Sequence, residues 1–206
     1  MPPPLLVLGT GNRKKGLELV DLLGGVGLTL KTLADFPQAI SVAETGDTFA
    51  ANALLKATVQ AMHLGQWMLG EDSGLAVDAL HGAPGVYSAR YSGPAATDES
   101  NNRLLLDNLR NVPAERRTAH YVCHAVLSDP QGNILAESED YCHGLLRFEP
   151  VGSGGFGYDP LFEIPEYHLT FAELGPAVKA AISHRARAIR KLIPRLMELV
   201  DSGQWR

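Results

Sequence analysis

The sequence predicts a mixed α/β fold, and three observations carry that expectation. The chain opens with an apolar run, a glycine turn and a basic helix start. A helical stripe of apolar residues lies between positions 50 and 64. Two long strand-like runs flank a tight turn at Asp129-Pro130-Gln131-Gly132. A parallel-type strand at the start with an antiparallel pair later is the signature of a mixed sheet with helices packed on it. With 206 residues and 45% hydrophobic content, there is material for the core of one large domain, or of two closely packed lobes. Disorder is excluded for the bulk of the chain.

The elements follow in order. Residues 5–10 read as a buried strand, apolar on both faces, running into Gly11-Asn12. A helix starts at Arg13-Lys14-Lys15, turns Leu19, Leu22 and Leu23 inward, and stops at Gly24-Gly25. Ala50, Leu54, Ala57, Ala61 and Leu64 form one helical stripe, with Asp47 or Thr48 as the cap and Asn52 and Lys56 sharing another face. Residues 66–69 read as a short strand that ends at Gly70-Glu71-Asp72-Ser73, and Leu75-Ala76-Val77 as the next one. A helix is expected over 98–109, strands over 118–127 and 134–146, and a terminal helix from Ser183 that Pro194 should kink or end early.

Lys+Arg 18 against Asp+Glu 23 gives a formal net charge of -5, the opposite of what binding to long nucleic acid favours. No segment reaches the ~18 consecutive apolar residues of a membrane helix. Met1-Pro2-Pro3-Pro4 lacks the pattern of a secretory leader, and two cysteines fit a reducing compartment, so a cytoplasmic protein is expected.

Gly152-Ser153-Gly154-Gly155-Phe156-Gly157 satisfies the dinucleotide formula G-x-G-x-x-G, but Tyr158-Asp159-Pro160 follows where a helix would have to begin. A Rossmann site is rejected, and no P-loop follows Gly9. Cys123-His124 and Cys142-His143 lie in strands, where adjacent side chains diverge, which argues against zinc. Thr10-Gly11-Asn12-Arg13-Lys14-Lys15 at a helix start can hold phosphate, and an anion would relieve basic residues at the positive end of the dipole. The same segment also reads as a solvated turn. Glu44, Glu71 and Asp72 could hold magnesium beside a phosphate and orient a water, although spacing alone favours surface acids. His184-Arg185 reads equally as helix capping, and Phe156 and Tyr158 as core aromatics.

Taken together in this order, these segments resemble the inosine/xanthosine triphosphate pyrophosphatase family, which removes non-standard purine nucleotides. The likeness runs over residues 6–192. It rests on Thr10-Gly11-Asn12-Arg13-Lys14-Lys15, Glu44-Thr45-Gly46 with Phe49, Asn52, Ala53 and Lys56, Glu71-Asp72-Ser73-Gly74-Leu75, and Gly82-Ala83-Pro84-Gly85-Val86-Tyr87-Ser88-Ala89-Arg90-Tyr91. Gly155-Phe156-Gly157-Tyr158-Asp159-Pro160 and Ser183-His184-Arg185 complete it.

The resemblance implies an elongated α/β molecule, one domain over 1–206 with a central mixed sheet, two lobes and an active-site cleft between them. It implies a homodimer and Mg2+-dependent hydrolysis of ITP, dITP and XTP to monophosphate and pyrophosphate. By the same resemblance, Thr10, Asn12, Lys15 and Lys56 contact the triphosphate, and Gly11, Arg13, Lys14 and Ser73 are further substrate-binding residues. Glu44 and Asp72 hold the metal, with Asp72 as proton acceptor and Glu71 sharing the polarisation of water. Phe156, Gly157, Tyr158 and Asp159 line the base pocket, Lys179 is a further substrate contact, and His184 and Arg185 donate to the 6-oxo group that adenine lacks. The chain departs from the family at Glu71, where many members carry aspartate, and at His81. It departs again over 166–170 and at Ala177-Val178. Two alternatives stand beside this reading: a nucleotide-binding sensor without turnover, and a pyrophosphatase for modified pyrimidine triphosphates.

Overall fold

A computed structural model describes residues 3–205, so Met1 and Pro2 of the opening segment and Arg206 lie outside the described residues. Seven strands form one sheet in the order β2-β1-β3-β4-β5-β6-β7. β1, Leu5–Leu8, pairs in parallel with β2, Thr29–Thr32, and with β3, Met68–Val77. β4 and β5 are Thr118–Ser128 and Ile134–Leu146. β5 pairs antiparallel with β6, Phe162–Ile164, and β6 antiparallel with β7, Leu169–Thr170. The mixed α/β class is as expected. Among the described residues no helix is long and apolar enough to cross a membrane.

The helices are α1, Arg13–Leu23; α2, Phe49–Leu64; α3, Asp98–Leu109; α4, Phe171–Ile182; and α5, His184–Asp201. Thr48 caps α2 through its hydroxyl, and Gly65 ends it in the left-handed region at φ 61. The stripe of α2 that goes inside differs from the expected one. Asn52, Ala53, Ala57, Gln60 and Ala61 are buried, whereas Leu54 is exposed. The polar face of this helix has a job that apolar spacing does not reveal.

Two further expectations are corrected. The segment over 70–74 is no turn between two strands, because β3 runs unbroken through Glu71, Asp72, Ser73 and Gly74. Gly74 instead permits close approach: a Cβ there would lie 2.7 Å from Gly85 O, beside the Ser88 hydroxyl that takes the Leu75 N–H at 2.9 Å. Of the kink or early end expected at Pro194, the early end does not occur, because α5 continues to Asp201. Leu192 and Leu196 on either side of the proline are buried, and that packing outweighs the lost hydrogen bond. α4 was not foreseen at all; Gly175 at φ 77 interrupts it and Pro176 restarts it.

The chain divides into two compact units. The first holds the residues up to Asp72, Cys123–Asp140 and those from Arg185 on; its core packs Leu6, Leu8, Leu19, Leu69, Leu127, Ile189 and Leu196, closed by Trp67 stacked on Trp205 at 4.4 Å. The second holds Ser73–Val122 and Tyr141–His184, with Leu75, Leu105, Tyr121, Phe162 and Phe171 in its core.

Candidate active site

In the first unit, β1 delivers the chain to the start of α1. Asn12 Oδ1 accepts from the N–H groups of Lys14 at 3.0 Å and Lys15 at 3.2 Å, and Asn12 N–H donates to Thr10 Oγ1 at 3.2 Å. The helix end expected to bind phosphate through bare N–H groups is therefore already capped by its own asparagine. That capping fixes the amide, so its Nδ2 is the donor it can offer. A cavity of about 750 Å³ has Thr10, Gly11, Asn12 and Arg13 on one wall, and also takes in Glu44, Lys56 and Gln60. Exposed Lys14 does not line it, and half-buried Lys15 pairs with Glu71 Oε1 at 3.3 Å.

Alternation along β3 separates the two acids. Glu71 is fully buried: besides Lys15 it meets Arg185 Nη2 at 3.4 Å and the Cys123 thiol at 3.5 Å, all through its carboxylate. Arg185, itself buried, also pairs with Glu18. Burial opposes its charge, but Glu71 and Glu18 outweigh that and hold its pKa above the ordinary arginine value. Asp72 meets a different set. Its Oδ1 is 2.8 Å from Lys56 Nζ, and its Oδ2 accepts from Asn52 Nδ2 at 3.3 Å. Lys56 Nζ lies 2.9 Å from Glu44 Oε1 as well, and donates to Glu71 O at 3.3 Å.

Burial pushes the Asp72 carboxyl above its usual range, with Lys56 and Lys15 offsetting only part of the shift. For Lys56, burial alone would lower the pKa, but Asp72 and Glu44 raise it overall, so the lysine is firmly charged. Glu44 and Asp72 thus face one cation through oxygen atoms alone. Among the described residues no group of three or more His, Cys, Asp or Glu side chains forms a metal cluster. A pair of carboxylates is what a hard divalent ion takes from protein when phosphates and waters supply the rest, so the donor chemistry fits Mg2+.

The second unit holds the other predicted residues. Asp159 Oδ2 accepts from the Phe156 N–H at 2.8 Å and from Lys179 Nζ at 2.5 Å. Lys179 Nζ sits 4.3 Å from the centroid of the Phe156 ring, a cation–π contact. Gly155, at φ 73, is required because a Cβ there would overlap Asp159. Gly157 is pinned from both sides, its N–H donating to Asp98 Oδ2 at 2.9 Å and its carbonyl accepting from Asn102 Nδ2 at 3.0 Å. Tyr158 is buried and donates to Ser88 O at 2.9 Å. His184 is stacked on Tyr121, centroids 4.7 Å apart and planes 10° from parallel. Ser73 is half-buried on β3.

The structure brings Thr10 through Arg13, Glu44 and Lys56 to one cavity, joins Asp72 to Lys56, and gathers Phe156, Asp159 and Lys179. Glu71 and Arg185 it binds to each other. Sequence reasoning missed Glu18, Gln60, Asp98, Asn102 and Tyr121. The one available signal was Asn101-Asn102 and Asn52 inside helices, where asparagine is a poor former unless its amide has a partner.

A model of the Ham1 family matches residues 6–195. The dITP/XTP pyrophosphatase of Rhodopirellula baltica is 55% identical over 198 residues, covering 96% of this chain and 95% of that protein. That of Geobacter sulfurreducens is 49% identical over 187 residues, 91% of this chain and 94% of its own. Among solved structures, a HAM1 protein from Coxiella burnetii superimposes with a TM-score of 0.86 at 36% identity, covering 95% of this chain and 99% of that one. A nucleoside-triphosphatase / dITP/XTP pyrophosphatase from Mycobacterium abscessus gives a TM-score of 0.74 at 42% identity, over 92% and 99%.

Proposed function

The chain belongs to the Ham1 family, and on that premise we propose that it hydrolyses non-standard purine nucleoside triphosphates, dITP, ITP and XTP, to the monophosphate and pyrophosphate. The observation that carries this reading is the meeting of Glu44 and Asp72 on Lys56, with Glu44 and Lys56 sharing a cavity with the capped start of α1. A metal-bound polyphosphate asks for a lysine, an asparagine donor and paired carboxylates at once.

Glu44 and Asp72 would hold Mg2+, which when bound neutralises charge on the departing pyrophosphate and acidifies water. Thr10, Asn12, Arg13 and Lys56 grip phosphate oxygens. Asp72 accepts the proton of the attacking water as the bond from the α-phosphorus to the bridging oxygen breaks and pyrophosphate leaves. A carboxylate whose pKa is raised by burial is a better base than an exposed one. Glu71 has a different part in this reading: it balances Lys15 and Arg185, and so holds β3, α1 and α5 residues in register.

Purine discrimination falls to the second unit. Phe156 offers a ring whose charge is drawn toward Lys179, and stacking supplies affinity without choosing among purines. His184, held flat on Tyr121, is the donor for a 6-oxo group, while Arg185 is engaged by Glu18 and Glu71. Adenine would leave that donor desolvated and unpaired. A single domain of two lobes working as a cytoplasmic homodimer on free nucleotides completes the proposal, supported by the family resemblance.

The test is a substrate panel of ITP, dITP, XTP, GTP, ATP and dUTP with Mg2+, scored separately for pyrophosphate and phosphate. Pyrophosphate from ITP, dITP and XTP, with ATP and GTP each at least about a hundredfold poorer in kcat/KM, is expected. Tight ITP binding without pyrophosphate release would make the protein a sensor, and a preference for dUTP would move it to pyrimidine chemistry.

A further inference from the structure

A polar stripe runs along α2 through Asn52, Lys56, Gln60 and His63, at helical spacings of four, four and three. It grips the segment 38–46 at four points, in reverse order. His63 Nε2 is 2.8 Å from Gln38 O, Gln60 Nε2 donates to Ile40 O at 3.3 Å, Lys56 reaches Glu44, and Asn52 Oδ1 accepts from the Gly46 N–H at 2.8 Å. Asn52 is fully buried, and its other end donates to Asp72 Oδ2 at 3.3 Å. One amide therefore touches the backbone two residues beyond Glu44 and the carboxylate of Asp72. Gly46 leaves no slack: a Cβ there would stand 2.6 Å from Ala51 Cβ and 2.8 Å from Asn52 Oδ1.

We infer that Asn52 is a positioning residue that fixes the spacing of Glu44 and Asp72, and so sets divalent-cation affinity without touching metal or substrate. The inference rests on the reading of those two acids as the metal pair. Two partly buried carboxylates repel each other. Lys56 offsets that repulsion, but a four-carbon stem with many rotamers holds distance poorly. A short amide with acceptor and donor both engaged holds it well. A hydroxyl carries donor and acceptor on one oxygen, whereas the asparagine amide places them on separate atoms and so spans from the Gly46 N–H to Asp72. Groups that hydrogen-bond a metal's carboxylate ligands typically matter 10–100-fold in metal affinity or activity.

The experiment titrates Mn2+ into the nucleotide-free protein, reading free Mn2+ by electron paramagnetic resonance. In parallel it measures the Mg2+ concentration for half-maximal dITP turnover, with kcat and KM at saturating Mg2+. Asn52→Ala is expected to weaken Mn2+ about 10–100-fold and to raise the half-saturating Mg2+ in step, with KM for dITP within about twofold of wild type. Gly46→Ala pushes the loop off the amide while leaving Asn52 and Asp72 chemically intact, and should shift metal affinity the same way should Asn52→Ala fold poorly. His63→Ala loosens the same loop without touching Asp72 and should change neither constant more than about twofold. Wild-type metal constants in both Asn52→Ala and Gly46→Ala, or an equal loss in His63→Ala, would overturn the positioning role alone. A wild-type protein that neither binds Mn2+ nor cleaves dITP would remove the metal reading and this inference with it.

Discussion

Glu71 and Asp72 are neighbours in the chain but meet different partners, because successive side chains on a strand leave by opposite faces. Sequence reading grouped them as an acid pair and could not divide base from ligand from support. The structure divides them by partner: Glu71 is sealed among Lys15, Arg185 and Cys123, and Asp72 stands with Lys56 and Asn52. Neutralising each should therefore fail differently. Glu71→Gln leaves Arg185 and Lys15 facing an uncharged amide in a dry site, and should cost on the order of 3 kcal/mol in urea unfolding, the range seen when one member of a buried pair is removed. Asp72→Asn keeps size and packing, and should leave stability within about 1 kcal/mol. Its turnover should fall about 10²–10⁴-fold with nucleotide affinity retained, as the proposed general-base role demands. A Glu71→Gln protein as stable as wild type, or wild-type rates from Asp72→Asn, would refute the division of labour.

At the scale of elements, α2 and β3 are pressed together at Gly70. A Cβ there would stand 2.5 Å from both Ala53 O and Ala57 N, atoms of the helix backbone that cannot rotate away. The small faces of Ala53, Ala57 and Ala61 make the approach possible, and the approach brings Asn52 and Lys56 onto Asp72. Gly70→Ala should therefore destabilise by at least about 2 kcal/mol in equilibrium unfolding and should also lower turnover, because the helix carrying Lys56 must move. Gly74→Ala, which crowds the 3₁₀ segment Gly85–Arg90 instead, makes a useful comparison. The start of α1, the cap of α2 and the whole of α3 could be read from the sequence, since caps and apolar periodicity are local. α4 could not, because Gly175 and Pro176 in its middle are breakers in any local reading.

At the scale of the molecule, each unit has its own apolar core and one buried cysteine: Cys123 in the first and Cys142 in the second. Burial, with Glu71 close by, pushes the Cys123 thiol well above its ordinary pKa. Native protein at pH 8 should therefore leave a disulfide reagent such as DTNB unreacted for as long as it stays folded. Two thiols should titrate promptly in urea, and fast native reaction at either would mean that its unit opens locally. The amino-acid sequence by itself determined the α/β class, most helix ends, the rejection of a Rossmann site and, through the order of its motifs, the family. These are properties of neighbouring residues and of strings, and need no coordinates. Only tertiary structure decided that Glu71 is a structural counter-charge, that Asn52 joins the Glu44 loop to Asp72, and that Asp159 binds Lys179. Each of those facts joins residues well separated along the chain or picks one strand face over the other, and a charge or an amide acquires its role from whichever partner burial leaves within reach.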